Sequence, residues 1–253
     1  MHLILTGATG LVGSSVLDAM LKMKDVTKIS VLSRRPVPMA EQANDPRVRV
    51  IIHNDFNKYG PDVLGELQGA TGAVWALGIS QSKVSNEEYV KITKNYTLAG
   101  AKAFADLAPG DEPFRFIYVS GMGATQAPGM FTASFARVKG ETETKLDEMR
   151  AANPRFAAES VRPAGVDASD HPAIKPFLPD PGLLYKAMDY TLVPAIRTFM
   201  RSLHAPTEPL GKFLAEMAAG KHQAELKGKD VVTLSGGLRL IENTAIRRIM
   251  GLS

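Results

Sequence analysis

Three glycines near the start of the chain, Gly7, Gly10 and Gly13, follow an apolar run from Leu3 to Leu5 at three-residue spacing. Glycines let a backbone turn sharply and approach a phosphate closely. Apolar residues then recur at helical spacing, which predicts a helix whose free N–H groups attract an anion. The pattern predicts a nucleotide cradle, with a plain tight connection as the alternative. The residues expected to hold the nucleotide here are Gly7, Thr9, Gly10, Leu11, Val12 and Gly13.

Two adjacent arginines, Arg34 and Arg35, follow Ser33 at the end of a second predicted strand, Lys28 to Leu32. In a dinucleotide-binding fold this position contacts the adenosine ribose. An acidic residue there favours a free 2′-hydroxyl, whereas arginine pairs with a 2′-phosphate. The sequence therefore predicts NADP(H) as the cofactor, although the two arginines could also be solvated surface charges.

Further candidate residues fall at the ends of the next strands, Arg47 to Ile52 and Gly72 to Leu77. Asp55, before Phe56, could accept a hydrogen bond from the adenine amino group or cap the following turn. After the next strand, small residues would let a cofactor lie across the edge of the sheet. The cofactor-binding residues expected in this part of the chain are Asp55, Phe56, Ala76, Leu77 and Gly78.

The elements that must position these residues alternate between strand and helix from residue 2 to residue 163. Strands are also predicted at Phe114 to Val119 and Phe156 to Val161, and a helix at Asn86 to Leu107 with Tyr89, Ile92, Tyr96 and Ala99 on one face. Val37 to Pro46 is expected to be a loop, and Trp75 to lie in the core. Alternation of this kind predicts an α/β fold with a doubly wound parallel sheet, the Rossmann arrangement, in which ligands bind at the carboxyl edge.

The tail differs in composition, because Pro172, Pro176, Pro179 and Pro181 crowd into ten residues. We divide a single 253-residue domain into a cofactor-binding core, 1–165, and a C-terminal helical and loop extension, 166–253, that forms the substrate pocket and any lid. In the extension, helices are expected at Leu183 to Leu203, at Thr207 to Met217 and near Leu238 to Met250, with a strand at Asp230 to Leu234. Thr207 is expected to cap its helix.

Composition excludes several classes of function. The chain has no cysteine, and a net charge of +4 without a basic block argues against nucleic-acid binding. The five histidines lack paired metal-ligand spacing, so no metal site is expected. Neither a signal peptide nor a transmembrane run is present, and we expect a cytoplasmic protein. Arg197, Arg201 and Lys212 could form a basic membrane-facing surface, but a helix packed on the domain is favoured.

These residues together resemble the atypical branch of the short-chain dehydrogenase/reductase superfamily, and among its members the animal Tat-interacting oxidoreductase and its fungal relatives. The resemblance covers the first 165 residues well and the tail only at its end. It rests on the glycine turn and on Ser33-Arg34-Arg35, Asp55-Phe56, Leu77-Gly78, Ser120 with Gly123-Ala124, Val138-Lys139-Gly140-Glu141, Arg162-Pro163 and the terminal 241–246 segment, Ile-Glu-Asn-Thr-Ala-Ile.

The resemblance implies that Ser120 and Lys139 occupy the catalytic serine and lysine positions, with Lys139 and Pro163 also at the cofactor. A serine hydroxyl can orient a carbonyl, and a lysine can hold the nicotinamide ribose and lower the pKa of a proton donor. The family's proton donor is a tyrosine four residues before the lysine, and here that residue is Phe135. Ser134, a tail tyrosine such as Tyr185 or Tyr190, or a water molecule would have to replace it.

Three functions remain open from the sequence. The first is an NADPH-dependent oxidoreductase acting on a small apolar or aromatic carbonyl compound. The second is a non-redox NADPH-binding protein that senses the cofactor or docks a partner, which the absence of the tyrosine favours. The third is a pocket reused for isomerisation or cyclisation.

Overall fold

The computed structural model describes residues 1–178 and 200–252, and contains an eight-stranded, mostly parallel sheet. The strands are β1 His2–Thr6, β2 Lys28–Ser33, β3 Val48–Ile52, β4 Gly72–Trp75, β5 Phe114–Val119, β6 Phe156–Arg162, β7 Gly165–Asp167, β8 His204–Pro206, β9 Val231–Thr233 and β10 Arg239–Glu242, with β7 and β8 pairing separately. The spatial order in the large sheet is β3-β2-β1-β4-β5-β6-β10-β9, so successive strands are added on one side of β1 up to β3 and on its other side from β4 onward. Only β9 is antiparallel to its neighbour in this sheet. The predicted doubly wound α/β class is confirmed.

Helices cover both faces of the sheet. No helix in 1–178 or 200–252 is long and apolar enough to cross a membrane. Most of the helix predicted at Leu183 to Leu203, with Tyr185, Tyr190 and Arg197, lies outside the described residues, as do Pro179 and Pro181. The end of that stretch forms a short 3-10 helix at Arg201–Leu203. The helices are α1 Leu11–Lys22, α2 Pro38–Ala43, α3 Pro61–Leu67, α4 Asn86–Val90, α5 Tyr96–Phe104, α6 Ser134–Ala152, α7 Thr207–Ala218 and α8 Asn243–Ile249.

The central strands are buried on both faces, as a parallel sheet between two helical layers requires. On β1, Leu3 and Leu5 join the core under α1, α7 and α8, whereas Ile4 faces the other core, under α3, α5 and α6. Trp75 belongs to this second core, as predicted, and has no exposed surface. A side-chain carbon at Gly100 would lie only 2.2 Å from its indole ring, so α5 can pack closely on the sheet because of that glycine.

Two expectations about local structure are wrong. Val37 to Pro46 is not all loop, because α2 forms at Pro38 and buries Met39 and Ala40 against the first core. The end of the chain is not one helix from Leu238, because Leu240 and Ile241 are buried in β10, which extends the sheet beside β6. In both places, tertiary burial outweighs the local pattern.

The long helix predicted at Asn86 to Leu107 forms, but a π-helical turn over Lys91–Asn95 interrupts it between α4 and α5. The turn changes the face that the following residues present. Thr97, Gly100 and Ala101 are therefore buried, while the predicted Tyr96 and Ala99 are only half-buried. Such turns occur often at functional sites.

The tail contributes α7 to the first helical layer, against α1. Thr207 does not cap this helix through its side chain, contrary to our expectation. Its buried hydroxyl is instead 3.0 Å from Nδ1 of His171, whose Nε2 is 3.0 Å from Asp18 of α1. The hydroxyl therefore helps to join the proline-rich loop and α7 to α1.

Two helix glycines should respond oppositely to alanine. A side-chain carbon at Gly211 in α7 would lie 2.3 Å from the carbonyl oxygen of Ser15 in α1, whereas Gly65 in α3 has no neighbouring atom within 4 Å. We expect Gly211→Ala to lower the free energy of unfolding by about 1–3 kcal/mol through overpacking. Gly65→Ala, the matched control, should raise it by up to about 1 kcal/mol. Urea unfolding measures both, and equal effects would contradict the close α1–α7 contact.

Candidate functional site

A cleft runs along the carboxyl edge of the sheet, where the loops after β1, β4, β5 and β6 meet. Its larger part is a cavity of about 560 Å³, and a second hollow of about 370 Å³ shares Leu77 with it. Ala76, Gly78 and Pro163 line the larger cavity, as do Ser120 and Lys139. The structure therefore brings most of the predicted residues together at the edge where such folds bind ligands.

The three glycines of the turn have different physical roles. Gly7 has a φ of +75° and a side-chain carbon there would lie 2.3 Å from the carbonyl oxygen of Ala76. At Gly13 the corresponding distance is 2.0 Å, to the carbonyl oxygen of Gly7. At Gly10, φ is −99° and the same oxygen is 3.4 Å away, an ordinary contact. The fold itself requires Gly7 and Gly13, whereas the open space at Gly10 faces the cleft.

Helix α1 begins at this open space. Gly10 is its N-cap, and a glycine has no side chain that could accept a hydrogen bond from the N–H groups of the first turn. The first backbone N–H groups of a helix have no partner within it, and the helix dipole makes this end positive. Gly10, Leu11 and Val12 all line the cleft, so the chain presents an uncapped helix start to an anion.

The smaller hollow is lined by Gly7, Thr9 and Leu32 together with Ser33, Arg34 and Arg35. Both arginines are exposed, and neither forms an ion pair within residues 1–178 and 200–252. The Ser33 hydroxyl accepts a hydrogen bond of 3.3 Å from the backbone N–H of Arg35. Two guanidinium groups without an ion-pair partner among the described residues therefore lie at one end of the cleft.

Asp55 and Phe56 differ in their relation to this hollow. The exposed Asp55 carboxylate accepts a 3.1 Å hydrogen bond from the N–H of Asn57, which matches the turn-capping alternative. Asp55 lines neither part of the cleft. Phe56 lines the hollow, but its ring is 1% exposed and packs edge-on against Trp75, so it is mainly a core residue.

At the other end of the cleft, Lys139 lies beside Ser120. The Lys139 ammonium group donates a hydrogen bond to the backbone carbonyl oxygen of Ser120. Burial lowers the pKa of Lys139 to about 8, although the negative charge of Glu143 opposes this effect. The Ser120 hydroxyl is buried and has no hydrogen-bond partner in the described part of the chain. A buried, unpartnered hydroxyl at a cavity wall is a candidate for a ligand contact.

Tyr118 and Thr93 line the same cavity and were not predicted from the sequence. Tyr118 lies inside a buried strand, and its only signal is that it carries the one hydroxyl in Phe114–Val119. This hydroxyl has no hydrogen-bond partner of good geometry among the described residues. Burial raises the pKa of Tyr118 well above its ordinary value, and the charge of Glu143 raises it further. Thr93 enters the cavity from the π-helical turn.

Phe135 stands at the start of α6 and is 37% exposed. Its ring tip lies 3.9 Å from the position that a side-chain carbon of Gly123 would occupy, and its backbone N–H donates a 3.0 Å hydrogen bond to the Gln81 side chain. Neither Phe135 nor Ser134 lines the cavity. Among the described residues of the tail, Val166 lines it, whereas α7 packs on α1.

One group of possible metal ligands exists within the described residues, where ligand atoms of Asp18, His171 and Glu208 lie within 4.8 Å of one another. The ammonium group of Lys22 lies 2.6 Å from Asp18 and 3.5 Å from Glu208. This cation already pairs with both carboxylates, so the group fits an ion-pair cluster better than a metal centre.

Comparisons with known proteins show what the chain is similar to. No known protein-family profile matches it. It is 33% identical over 234 residues to Leucinostatins biosynthesis cluster protein T of Purpureocillium lilacinum, covering 86% of this chain and 84% of that protein. It is 45% identical over 157 residues to Botcinic acid biosynthesis cluster B protein 16 of Botryotinia fuckeliana, covering 62% and 99%.

Among solved structures, one similar fold is an oxidoreductase of the short-chain dehydrogenase/reductase family from Burkholderia thailandensis. The TM-score is 0.66 at 12% identity, covering 99% of this chain and 95% of that one. The fold that the predicted superfamily implies is thereby confirmed, whereas membership of the superfamily's atypical branch and the closer resemblance to the animal Tat-interacting oxidoreductase stay predictions.

Substitutions in the glycine turn should separate ligand binding from folding. We expect Gly10→Ala to fold with nearly unchanged stability, since its φ and its surroundings accept a side chain. It should nevertheless lose most of its affinity for dinucleotides, because the methyl group enters the space in front of the helix start. Gly13→Ala, the matched control, should be strongly destabilised. Thermal unfolding without ligand and calorimetric titration with NADPH measure the two effects. Wild-type affinity in Gly10→Ala would contradict the cradle.

Proposed function

Because this chain belongs to one family with the two fungal biosynthesis-cluster proteins and shares its fold with short-chain dehydrogenase/reductases, we propose that it is an NADP(H)-dependent oxidoreductase of their atypical branch. The observation that carries this proposal is a pair of adjoining hollows that share Leu77, with an open helix start lining the larger one. Arginines without an ion-pair partner among the described residues line the smaller hollow, and the buried Ser120 and the half-buried Lys139 line the larger. These are the three places at which a phosphorylated dinucleotide and a carbonyl group need partners.

The residues present fit the cofactor. Gly10 leaves room for the pyrophosphate, and the N–H groups of Leu11 and Val12 would bind it. Arg34 and Arg35 would bind the 2′-phosphate. When bound, NADP(H) supplies or accepts a hydride. Lys139 would hold the nicotinamide end, and the Ser120 hydroxyl would donate a hydrogen bond to the substrate oxygen.

The substrate that fits this proposal is a small apolar or aromatic carbonyl compound. Ile79, Met122, Pro163 and Val166 contribute apolar surface to the same cavity as Ser120. Such walls exclude water from the reacting groups and bind a hydrophobic molecule. The names of the two relatives place them in biosynthesis clusters for botcinic acid and leucinostatins. We extend this to the present chain and propose that its substrate is an intermediate of a secondary metabolite.

A second candidate function is favoured by Phe135. A phenyl ring has no proton to give, and Phe135 does not line the cavity. A protein with the cofactor cleft but without a proton donor would bind NADP(H) as a sensor or docking module. The two candidates differ in whether NADPH is consumed.

Cofactor preference tests the adenosine end of the cleft. We expect NADPH to stabilise the protein more than NADH at equal concentration. At about 100 times its Kd, NADPH should raise the free energy of unfolding by roughly 2.7 kcal/mol above that of the unliganded protein. Replacing both Arg34 and Arg35 by alanine should weaken NADPH binding by about ten- to a hundredfold, since charge-assisted bonds are lost. Arg49→Ala removes an exposed arginine elsewhere and serves as the control. Equal thermal shifts for NADPH and NADH in the wild type would contradict the assignment.

Turnover tests the choice between the two functions. We expect the wild type to oxidise NADPH, followed by absorbance, in the presence of at least one member of a panel of ketones and quinones. Phe135→Tyr should change the rate by less than about threefold, because its new hydroxyl would lie beside Gly123 rather than in the cavity. A positioned acid contributes roughly 10²–10⁴-fold. A gain of that size in Phe135→Tyr would show that a proton donor had been missing. No oxidation by the wild type would favour the sensor.

A further inference from the structure

The larger cavity of the cleft has a single cationic group among the described residues that line it, the ammonium of Lys139. Lys139 lies on α6, and its ammonium group reaches the backbone carbonyl oxygen of Ser120, at the end of β5. Gly121 makes this approach possible, because a side-chain carbon there would lie 3.1 Å from the lysine nitrogen. The ammonium group and the unpartnered Ser120 hydroxyl therefore belong to neighbouring parts of one cavity wall.

Glu143, one turn further along α6, does not form an ion pair with Lys139. Both of its oxygens bond to Arg162 on β6, at 2.9 and 2.5 Å, and they also accept from Ser160 and Gln126. On the outer side of α6, Glu141 pairs with Lys94 from the π-helical turn. Among the described residues, Lys139 is thus a half-buried cation without a carboxylate partner. Desolvation favours release of its proton and lowers the pKa of Lys139 to about 8.

The other groups at the site are poorer acids. Burial raises the pKa of Tyr118 far above neutrality. Ser120 carries an alcohol, and Phe135 has no acidic proton. An efficient general acid has a pKa near the working pH.

We propose that the ammonium group of Lys139 is itself the proton donor of this cleft, delivering its proton to the oxygen of a carbonyl substrate held by Ser120. This inference rests on the proposed function and names the acid that the function needs. The carbonyl carbon receives a hydride from NADPH, which is thereby oxidised to NADP⁺. The π pair of the C=O bond forms a new O–H bond with the proton from Lys139. The N–H bonding pair stays on the lysine nitrogen, and the neutral amine regains a proton from water.

The substitution Lys139→Arg keeps the positive charge but removes the ability to donate a proton, because a guanidinium group keeps its proton at every working pH. We expect Lys139→Arg to bind NADPH within about threefold of the wild type while its kcat falls at least about a hundredfold. Lys145→Arg, the same change on the exposed face of α6, should leave kcat unchanged. In the wild type, kcat should fall about tenfold per pH unit above pH 8, because the donor must be protonated.

A measurement without turnover tests the lysine directly. In protein containing carbon-13-labelled lysine, the resonance that is missing from Lys139→Arg belongs to Lys139. Its titration should have a midpoint near pH 8. A midpoint above 10, or more than a tenth of wild-type kcat in a folded Lys139→Arg, would overturn the proposal. Loss of turnover in Tyr118→Phe with turnover kept in Lys139→Arg would assign the acid to Tyr118 instead. No NADPH oxidation with any carbonyl would overturn the proposed function together with this role.

Discussion

The buried ion pair between Glu143 and Arg162 is the interaction on which the rest of the site depends. Glu143 has no exposed surface, and the guanidinium group binds both of its oxygens. Arg162 also contacts Glu242, which is the N-cap of α8, at 2.9 Å, and Gln126 at 3.3 Å. One residue at the end of β6 therefore joins α6, the loop before it and the tail. Loss of one partner would leave a charge buried alone, which typically costs about 3–5 kcal/mol.

This pair also sets the electrostatics of the cleft. Since Arg162 occupies both oxygens of Glu143, the neighbouring carboxylate is not available to Lys139 as an ion-pair partner. The ammonium group is left with one carbonyl oxygen, that of Ser120, and burial then lowers the pKa of Lys139. At the start of α6, Phe135 lies beside Gly123 and does not line the cavity. A structural ion pair thus determines which group at the site can exchange a proton near neutral pH.

Much of the architecture could be predicted from the amino-acid sequence, because its causes are local. The apolar runs that become β1 and β5, the three-residue spacing of Gly7, Gly10 and Gly13, and the position of Arg34 after β2 all reflect the chemistry of neighbouring residues. Strand–helix alternation then permits few topologies, since parallel connections are right-handed and ligands bind at the carboxyl edge. The parallel sheet, the glycine turn and the gathering of the cofactor residues along one edge followed from those rules.

Contacts between distant segments decided the rest. The helix α2 and the strand β10 form because their apolar residues are buried by elements far along the chain, and a local pattern does not report such burial. The π-helical turn brings Thr93 to the cavity. The sequence did not indicate that Tyr118 lines the cavity, because it lies within an apolar strand. The spacing of the three glycines also does not show that a side chain would fit at Gly10 but would clash with backbone atoms at Gly7 and Gly13. The sequence alone determined the fold class and most of the residues that line the edge of the sheet. Only the tertiary structure decided the acidity of Lys139, because that acidity depends on burial and on which residue Glu143 binds.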